Sequence, residues 1–281
     1  MKIDQITIVG CGLIGGSLAL ALKKHRFAGR IVGCDRPRVL QRALKLQAID
    51  QAHVQPEKAC RGSAVVVLAT PVSTIVEMIR RLAPVLPAGT LLTDTGSTKA
   101  EIVAAARREF GNSMQPFLAG HPMAGKEKSG IEFADADLFK STPWLLTPLP
   151  GQDLRKGATG TFIKWLKKIG AHVVVIDAET HDELCAWTSH APQMISTALA
   201  AALAEESETR KPRLAMSGRA LKDMTRIANS PYEMWRDVAA TNQKNIANAL
   251  LKVERHLSHI RRNLNTPELA IEFKRAHRLK L

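Results

Sequence analysis

Gly10-Cys11-Gly12-Leu13-Ile14-Gly15 is the stretch on which the fold of this 281-residue chain turns. It follows an apolar, β-rich run, Gln5–Val9, and opens a helical one, Leu13–His25. Each glycine has its own duty at this spacing. Gly10 permits a tight turn, Gly12 lets the backbone approach a pyrophosphate, and Gly15 lets helix and strand pack closely. The N–H groups opening the helix then point at phosphate oxygens. Gly10, Gly12, Leu13, Ile14 and Gly15 are therefore expected to contact a dinucleotide. A second strand, Arg30–Cys34, leads into Asp35, 20 residues beyond Gly15. A carboxylate there accepts hydrogen bonds from ribose hydroxyls and repels a 2′-phosphate, which favours NAD over NADP. Arg36 is placed either to stack on adenine or to meet a phosphate, so NADP stays open. Ala69-Thr70-Pro71-Val72 ends a third strand, and ligands of such sheets bind beyond strand carboxyl ends. Thr70, Pro71 and Val72 should border the cofactor. A capping box of Thr74 and Glu77 is compatible with the same turn.

Outward from this core, short β-rich runs alternate with helical ones. Further strands are read at Ala64–Ala69, Leu91–Asp94, Phe117–Ala119, Trp144–Thr147 and His172–Ile176. Ala64-Val65-Val66-Val67-Leu68 is apolar throughout, as a strand covered on both faces must be. Helices are read at Arg38–Leu46, Thr74–Ala83, Lys99–Phe110 and Thr161–Ile169. Such alternation gives a largely parallel sheet with helices on both faces. After Ile176 the strands stop. Asp177 can cap a helix from about Ala178 to Glu206, kinked at Pro192. A polar loop is expected at Glu205–Pro212, a helix at Arg213–Ala228, another from Ser230-Pro231 to about Asn263, and a last one after Thr266-Pro267. The fold expected is an α/β Rossmann-type domain over residues 1–177, followed by an all-α dimerisation domain over 178–281.

Composition narrows the function. No apolar run approaches the roughly 20 residues of a membrane span, and the first residues show no signal-peptide pattern. A cytoplasmic protein is expected. Cys11, Cys34, Cys60 and Cys185 are dispersed, without zinc-type spacing, so no metal site is expected. The formal charge of +14 suits an anionic small molecule. Aromatic residues do not alternate with basic ones, which argues against nucleic acid.

Two strand ends carry reactive side chains. Thr93-Asp94-Thr95-Gly96-Ser97-Thr98-Lys99 follows the fourth long strand. Thr98 and Glu101 fit a capping box, which leaves Ser97 either a turn hydroxyl or a site residue. His121 stands in Gly120-His121-Pro122-Met123-Ala124-Gly125, among small or constrained neighbours. Histidine titrates in the range needed to take a hydroxyl proton as hydride leaves; a structural turn histidine is the other reading. A serine hydroxyl on its second ring nitrogen would set its tautomer. In the helical part, Lys222 and Arg226 share one face, either as solvated charges or as a grip for a carboxylate. Ser189, His190 and Gln193 surround the Pro192 kink and either line the same cleft or cap carbonyls that the proline frees.

Taken together, the chain resembles the prephenate/arogenate (cyclohexadienyl) dehydrogenases of tyrosine biosynthesis. The resemblance runs nearly end to end. It rests on Gly10–Gly16, Asp94–Lys99, the His121 motif, His181-Asp182, Ser189-His190-Ala191-Pro192, and Thr225-Arg226-Ile227-Ala228 with Met234-Trp235 beyond. It implies NAD-dependent oxidative decarboxylation by a homodimer. His121 would be the base at the ring C4 hydroxyl, and Ser97 would orient it and touch the nicotinamide side. Arg226, helped by Lys222, would bind a substrate carboxylate. Ser189, His190, Gln193 and Lys126 would border the substrate. Ala191 stands where family members often carry leucine, and Gln193 where some carry histidine. These two positions leave both substrates open: prephenate is the reading taken, with arogenate as the alternative, and tyrosine is a possible inhibitor. The His121 motif separates the chain from β-hydroxyacid dehydrogenases and imine reductases, which lack it.

Overall fold

The computed structural model describes residues 2–111, 117–214 and 218–279, and for 206–214 the backbone alone. The first strands and helices follow the expected order: β1 (Gln5–Val9), α1 (Leu13–Lys24), β2 (Arg30–Cys34), α2 (Pro37–Lys45), β3 (Gln51–His53), α3 (Pro56–Ala59), β4 (Val65–Leu68), α4 (Val72–Leu82), β5 (Leu91–Asp94) and α5 (Ala100–Phe110). Then come β6 (Phe117–Pro122), β7 (Pro143–Thr147), α6 (Gly157–Lys168) and β8 (His172–Val175). They build one eight-stranded sheet in the order β3-β2-β1-β4-β5-β6-β7-β8. All neighbours are parallel except β6 and β7, which pair antiparallel with His121 opposite Leu145. The short strand β3 escaped the sequence reading, because Gln51-Ala52-His53 carries no β-branched residue to mark it.

Burial on both faces explains the apolar strands. Every residue of β4 is fully buried. Leu18 and Leu22 of α1 and Phe162 and Leu166 of α6 belong to one buried cluster; Ile75 and Ile79 of α4 and Ile102 and Ala106 of α5 belong to a second. Each fully buried Leu, Ile or Phe contributes about 1.5–3 kcal/mol.

The C-terminal part is helical: α7 (Ala178–Cys185), a π-helical turn (Ala186–His190), α8 (Ala191–Leu214), α9 (Arg219–Thr225), a 3-10 turn (Arg226–Asn229), α10 (Tyr232–Thr241), α11 (Gln243–Arg262) and α12 (Leu269–Ala276). Asp177 caps α7 as expected, its Oδ1 accepting the Thr180 N–H at 2.8 Å. The loop expected at Glu205–Pro212 is instead the last part of α8. Its Glu, Arg and Lys residues are strong helix formers, and polarity misled the reading. Of the helix expected at Arg213–Ala228, residues 215–217 lie outside the described residues. The long helix expected from Pro231 to Asn263 breaks at Asn242, whose side-chain amide bonds His190 Nδ1 (3.2 Å) and whose Oδ1 accepts from Asn245 (2.9 Å).

The chain divides into two compact units. One contains Met1–Asp182 and Ser230–Thr241, the other Glu183–Asn229 and Asn242–Leu281. Within the second, Glu272 of α12 binds His256, His259 and Arg275, tying α12 to α11. That unit also leaves Leu251, Leu257, Leu264, Ile271 and Phe273 exposed.

Candidate active site

The glycine loop has the geometry its sequence requires. Gly10 adopts φ +96°, and a Cβ there would lie 2.4 Å from the Ala69 carbonyl oxygen. A Cβ at Gly15 would lie 1.9 Å from the Gly10 oxygen. At Gly12 a Cβ would meet nothing within 4 Å. Two glycines therefore serve the protein's own packing, and the middle one keeps space for something else. Leu13 and Ile14 open α1, which has no side-chain cap and no acid in its first turn. Asp35 Oδ2 accepts the Cys11 N–H at 2.8 Å, and Oδ1 accepts the Arg36 N–H at 2.7 Å. Arg36 itself is 87% exposed. Thr70 lies beside Gly10, and its buried hydroxyl finds no partner among the described residues. Pro71 and Val72 turn the chain into α4. An uncapped helix start, an open cradle at Gly12, a half-buried carboxylate and an orphaned hydroxyl fit NAD.

The thiols nearby are inert. Burial pushes the Cys11 thiol up to about 12 and that of Cys34 to about 11. Both stay protonated and far from nucleophilic.

Sequence reasoning located the helix starts after β4 and β5 but not their caps. Neither Thr74 nor Thr98 caps its own helix. Instead, the Ser73 N–H and hydroxyl donate to Asp237 Oδ2 of α10 (2.9 and 2.5 Å). The N–H groups of Lys99 and Ala100 donate to Asp182 Oδ1 and Oδ2 of α7 (2.7 and 2.9 Å). Thr98 pairs with Thr241 at 2.7 Å. Two distant carboxylates thus replace two local capping boxes.

His121 is part of β6 and is 8% exposed. Its Nδ1 lies 2.9 Å from His181 Nε2, and His181 Nδ1 lies 2.8 Å from Asp182 Oδ1. The nitrogen for which the sequence reading offered the Ser97 hydroxyl is thus held by His181. Ser97 remains half-buried in the turn between β5 and α5. The backbone before His121 is pinned as tightly. Asp94 Oδ1 accepts the Gly120 N–H at 3.1 Å, and Lys99 Nζ donates to the Gly120 carbonyl at 2.7 Å and to Asp94. Asp94 and Lys99 are fully buried. A Cβ at Gly120 would lie 2.9 Å from the Asp94 oxygen, so glycine is required there. Removing one partner of such a buried ion pair costs about 3–5 kcal/mol. Sequence reasoning missed this pair and gave no role to His181 or Asp182. The available signals were an acid ending a strand and adjacent His and Asp one turn into a capped helix.

Lys126 is exposed and binds Asp135 Oδ2 (3.1 Å) and the Phe133 carbonyl (3.2 Å). The Asp135 N–H in turn donates to Ser17 of α1 (2.9 Å), tying the Lys126 loop to the helix of the glycine loop. In the helical unit, Lys222 of α9 and Arg226 of the following turn are exposed. Gln193 is buried and donates to the Ile227 carbonyl at 3.0 Å, and Ser196 donates to the Met224 carbonyl at 2.7 Å. Gln193 thereby holds the segment that carries Arg226. His190 is buried on Asn242, and Ser189 is half-buried in the π-helical turn.

Comparison with known proteins covers both parts of the chain. Residues 18–175 match the prephenate dehydrogenase nucleotide-binding domain, and residues 177–275 the prephenate dehydrogenase dimerization domain. A prephenate dehydrogenase of Lactococcus lactis is 33% identical over 257 residues, covering 91% of this chain and 70% of the relative. One of Bacillus subtilis is 36% identical over 263 residues, covering 92% and 69%. The crystal structure of prephenate dehydrogenase from A. aeolicus in complex with hydroxyphenyl propionate and NAD+ superposes with a TM-score of 0.84 at 28% identity, covering 99% of this chain and 97% of that one.

Proposed function

The chain belongs to the prephenate dehydrogenase family, and we propose that it oxidises prephenate to 4-hydroxyphenylpyruvate and CO2 with NAD as cofactor. One observation supports the site assignment above all. Gly10–Gly15, Asp35, Thr70, Ser97 and His121 all fall at the carboxyl ends of mutually parallel strands, β1, β2, β4, β5 and β6, along one edge of one sheet. Brought to that edge, a cofactor and a histidine meet.

NAD, when bound, supplies the acceptor for the hydride that leaves ring carbon C4. Gly12 and the start of α1 hold its pyrophosphate, and Asp35 its ribose. His121 takes the C4 hydroxyl proton on Nε2 as the carbonyl forms. The ring carboxylate then leaves as CO2, its bonding electrons completing the aromatic ring, and the phenolate oxygen takes the proton back from His121. No proton is gained or lost overall. Ser97 faces the nicotinamide side of the reacting ring. Arg226, helped by Lys222, binds a substrate carboxylate through paired hydrogen bonds. Ser189, His190, Gln193 and Lys126 shape the surroundings.

Residues 1–177 are the catalytic nucleotide domain in this reading, and 178–281 make a homodimer. Exposed Leu251, Leu257 and Phe273 offer apolar surface to it. Among the described residues no helix is long and apolar enough to cross a membrane. Four free, buried cysteines suit the reducing cytoplasm. Tyrosine, which shares the product's phenol ring, is a candidate competitive inhibitor.

The test is a steady-state comparison of prephenate and arogenate, each with NAD and NADP, for the parent and Arg226→Ala. Prephenate with NAD should give the highest kcat/KM, and Arg226→Ala should raise KM by about tenfold or more. Preference for arogenate would reassign the substrate, and an unchanged KM would remove Arg226 from the carboxylate site.

A further inference from the structure

We propose that Asp135 is a positioning residue: by holding Lys126 it straps down the tip of the loop that follows His121 and keeps the substrate side of the site in shape. The proposal rests on the reading of that loop as a border of the substrate, and adds what holds it there.

The loop spans residues 123–142, between β6 and β7. It is pinched at its base, where the Met123 N–H donates to the Pro143 carbonyl at 2.8 Å. Its second half is a frame fixed to α1. Ile131 is 2% exposed and packs so closely on Gly16 that a Cβ there would lie 2.2 Å from its Cδ1. Gly16, which the dinucleotide spacing does not require, thus serves the loop. The buried Ser17 hydroxyl accepts the Asp135 N–H at 2.9 Å, and Lys24 binds Asp137 at 2.5 and 2.6 Å. Phe139 is fully buried against Trp144 of β7, with ring centroids 5.0 Å apart.

The tip, residues 124–130, is held differently. At Gly125 a Cβ would meet nothing within 4 Å, and Gly130, at φ +112°, turns the chain back toward the frame. Two lysines fold from the tip onto that frame. Lys126 Nζ donates to Asp135 Oδ2 at 3.1 Å and to the Phe133 carbonyl at 3.2 Å. Lys128 Nζ lies 5.3 Å from the centroid of the Phe133 ring. The Asp137 N–H on Oδ1 and the Lys126 ammonium on Oδ2 hold the Asp135 carboxyl below the usual carboxylate range, so it is ionised at neutral pH. The Lys126 charge is therefore matched inside the loop, by a carboxylate whose own backbone is anchored on α1. The two side chains are 38% and 43% exposed. A pair so exposed shifts an equilibrium by about two- to fivefold. That favours the closed tip, yet lets it open as substrate enters and product leaves.

The first test needs no substrate. Glutamyl endopeptidase should cut the full chain after Glu127 about two- to fivefold faster in Lys126→Met and in Asp135→Asn than in the parent, because cleavage follows the population of the open tip. The double variant should be cut no faster than Lys126→Met alone, since both changes remove one ion pair. An unchanged rate in either single variant, or multiplied effects in the double, overturns the proposal. A tip that opens as expected in a chain that fails to turn over prephenate would sink the functional reading alone. The second test is kinetic. Lys126→Met and Asp135→Asn should each raise the KM for prephenate about two- to fivefold with kcat near that of the parent. Lys126→Arg, which keeps the ion pair, should stay close to the parent. A lysine that gripped the substrate itself would be freed by Asp135→Asn, and KM would hold or fall. That result, or a KM as high in Lys126→Arg as in Lys126→Met, overturns the proposal.

Discussion

The glycine loop and the histidine site share one edge of the sheet, yet they are assembled over different distances along the chain. The loop is closed locally: the Cys11 N–H reaches Asp35 across 24 residues. The histidine site is gathered from afar. His121 meets His181 60 residues later, and the N–H of Lys99 meets Asp182 83 residues later. A local motif states its geometry in its spacing. A gathered site states only its residue types, and tertiary packing supplies the geometry.

The contrast predicts that the two regions fail separately. The largest effect is expected at His121. His121→Asn should cut kcat by about 100- to 10,000-fold, while NAD affinity, measured by fluorescence titration, stays near that of the parent. A parallel collapse of NAD binding would show that loop and histidine are not independent. Within the loop, the glycines should separate in turn. Gly15→Ala drives a Cβ to within 1.9 Å of the Gly10 oxygen and should cost about 1–3 kcal/mol in denaturant unfolding. Gly12→Ala enters open space, so stability should hold while NAD binding weakens. Equal stability losses would undo the distinction between packing and ligand glycines.

The smallest effect concerns a remote cap. Burial alone would raise the Asp237 carboxyl, but hydrogen bonds from the Ser73 hydroxyl and N–H, with Arg236, outweigh it and hold it below the usual carboxylate range. A group depressed in the folded state stabilises the fold above its unfolded value, about pH 4, and loses that contribution as pH falls through the folded value. Ser73→Ala should therefore cost about 1 kcal/mol at pH 7, and its gap from the parent in thermal unfolding should narrow on acidification. A gap that persists unchanged to pH 3 would show that the Asp237 charge is not what Ser73 holds.

The same contrast decides what the sequence could tell. The sheet was legible because Ala64–Leu68 and its kin are apolar without alternation, and the cofactor loop because its glycines and Asp35 are in register with strand and helix. His121 was legible as a candidate from its strand-end position. Its partners were not, since nothing in the residues near 121 points to residue 181. The capping boxes read at Thr74 and Thr98 were locally plausible and lost to Asp237 and Asp182, which bring full charges to the same helix starts. Asn242 was passed over because its helix break is enforced by His190, 52 residues away.

The reach of Asp237 has a consequence for how the molecule is made. Ser73 leaves the ribosome 164 residues ahead of the carboxylate that caps it, roughly 10–30 s at ordinary rates of synthesis. Through that interval α4 stands without its cap, although every strand of the sheet has emerged before residue 177. The nucleotide unit becomes complete only when Ser230–Thr241 returns to it. A chain stopped at the apparent domain boundary would keep the strands and lose the caps, so the two halves cannot be exchanged between relatives as independent modules.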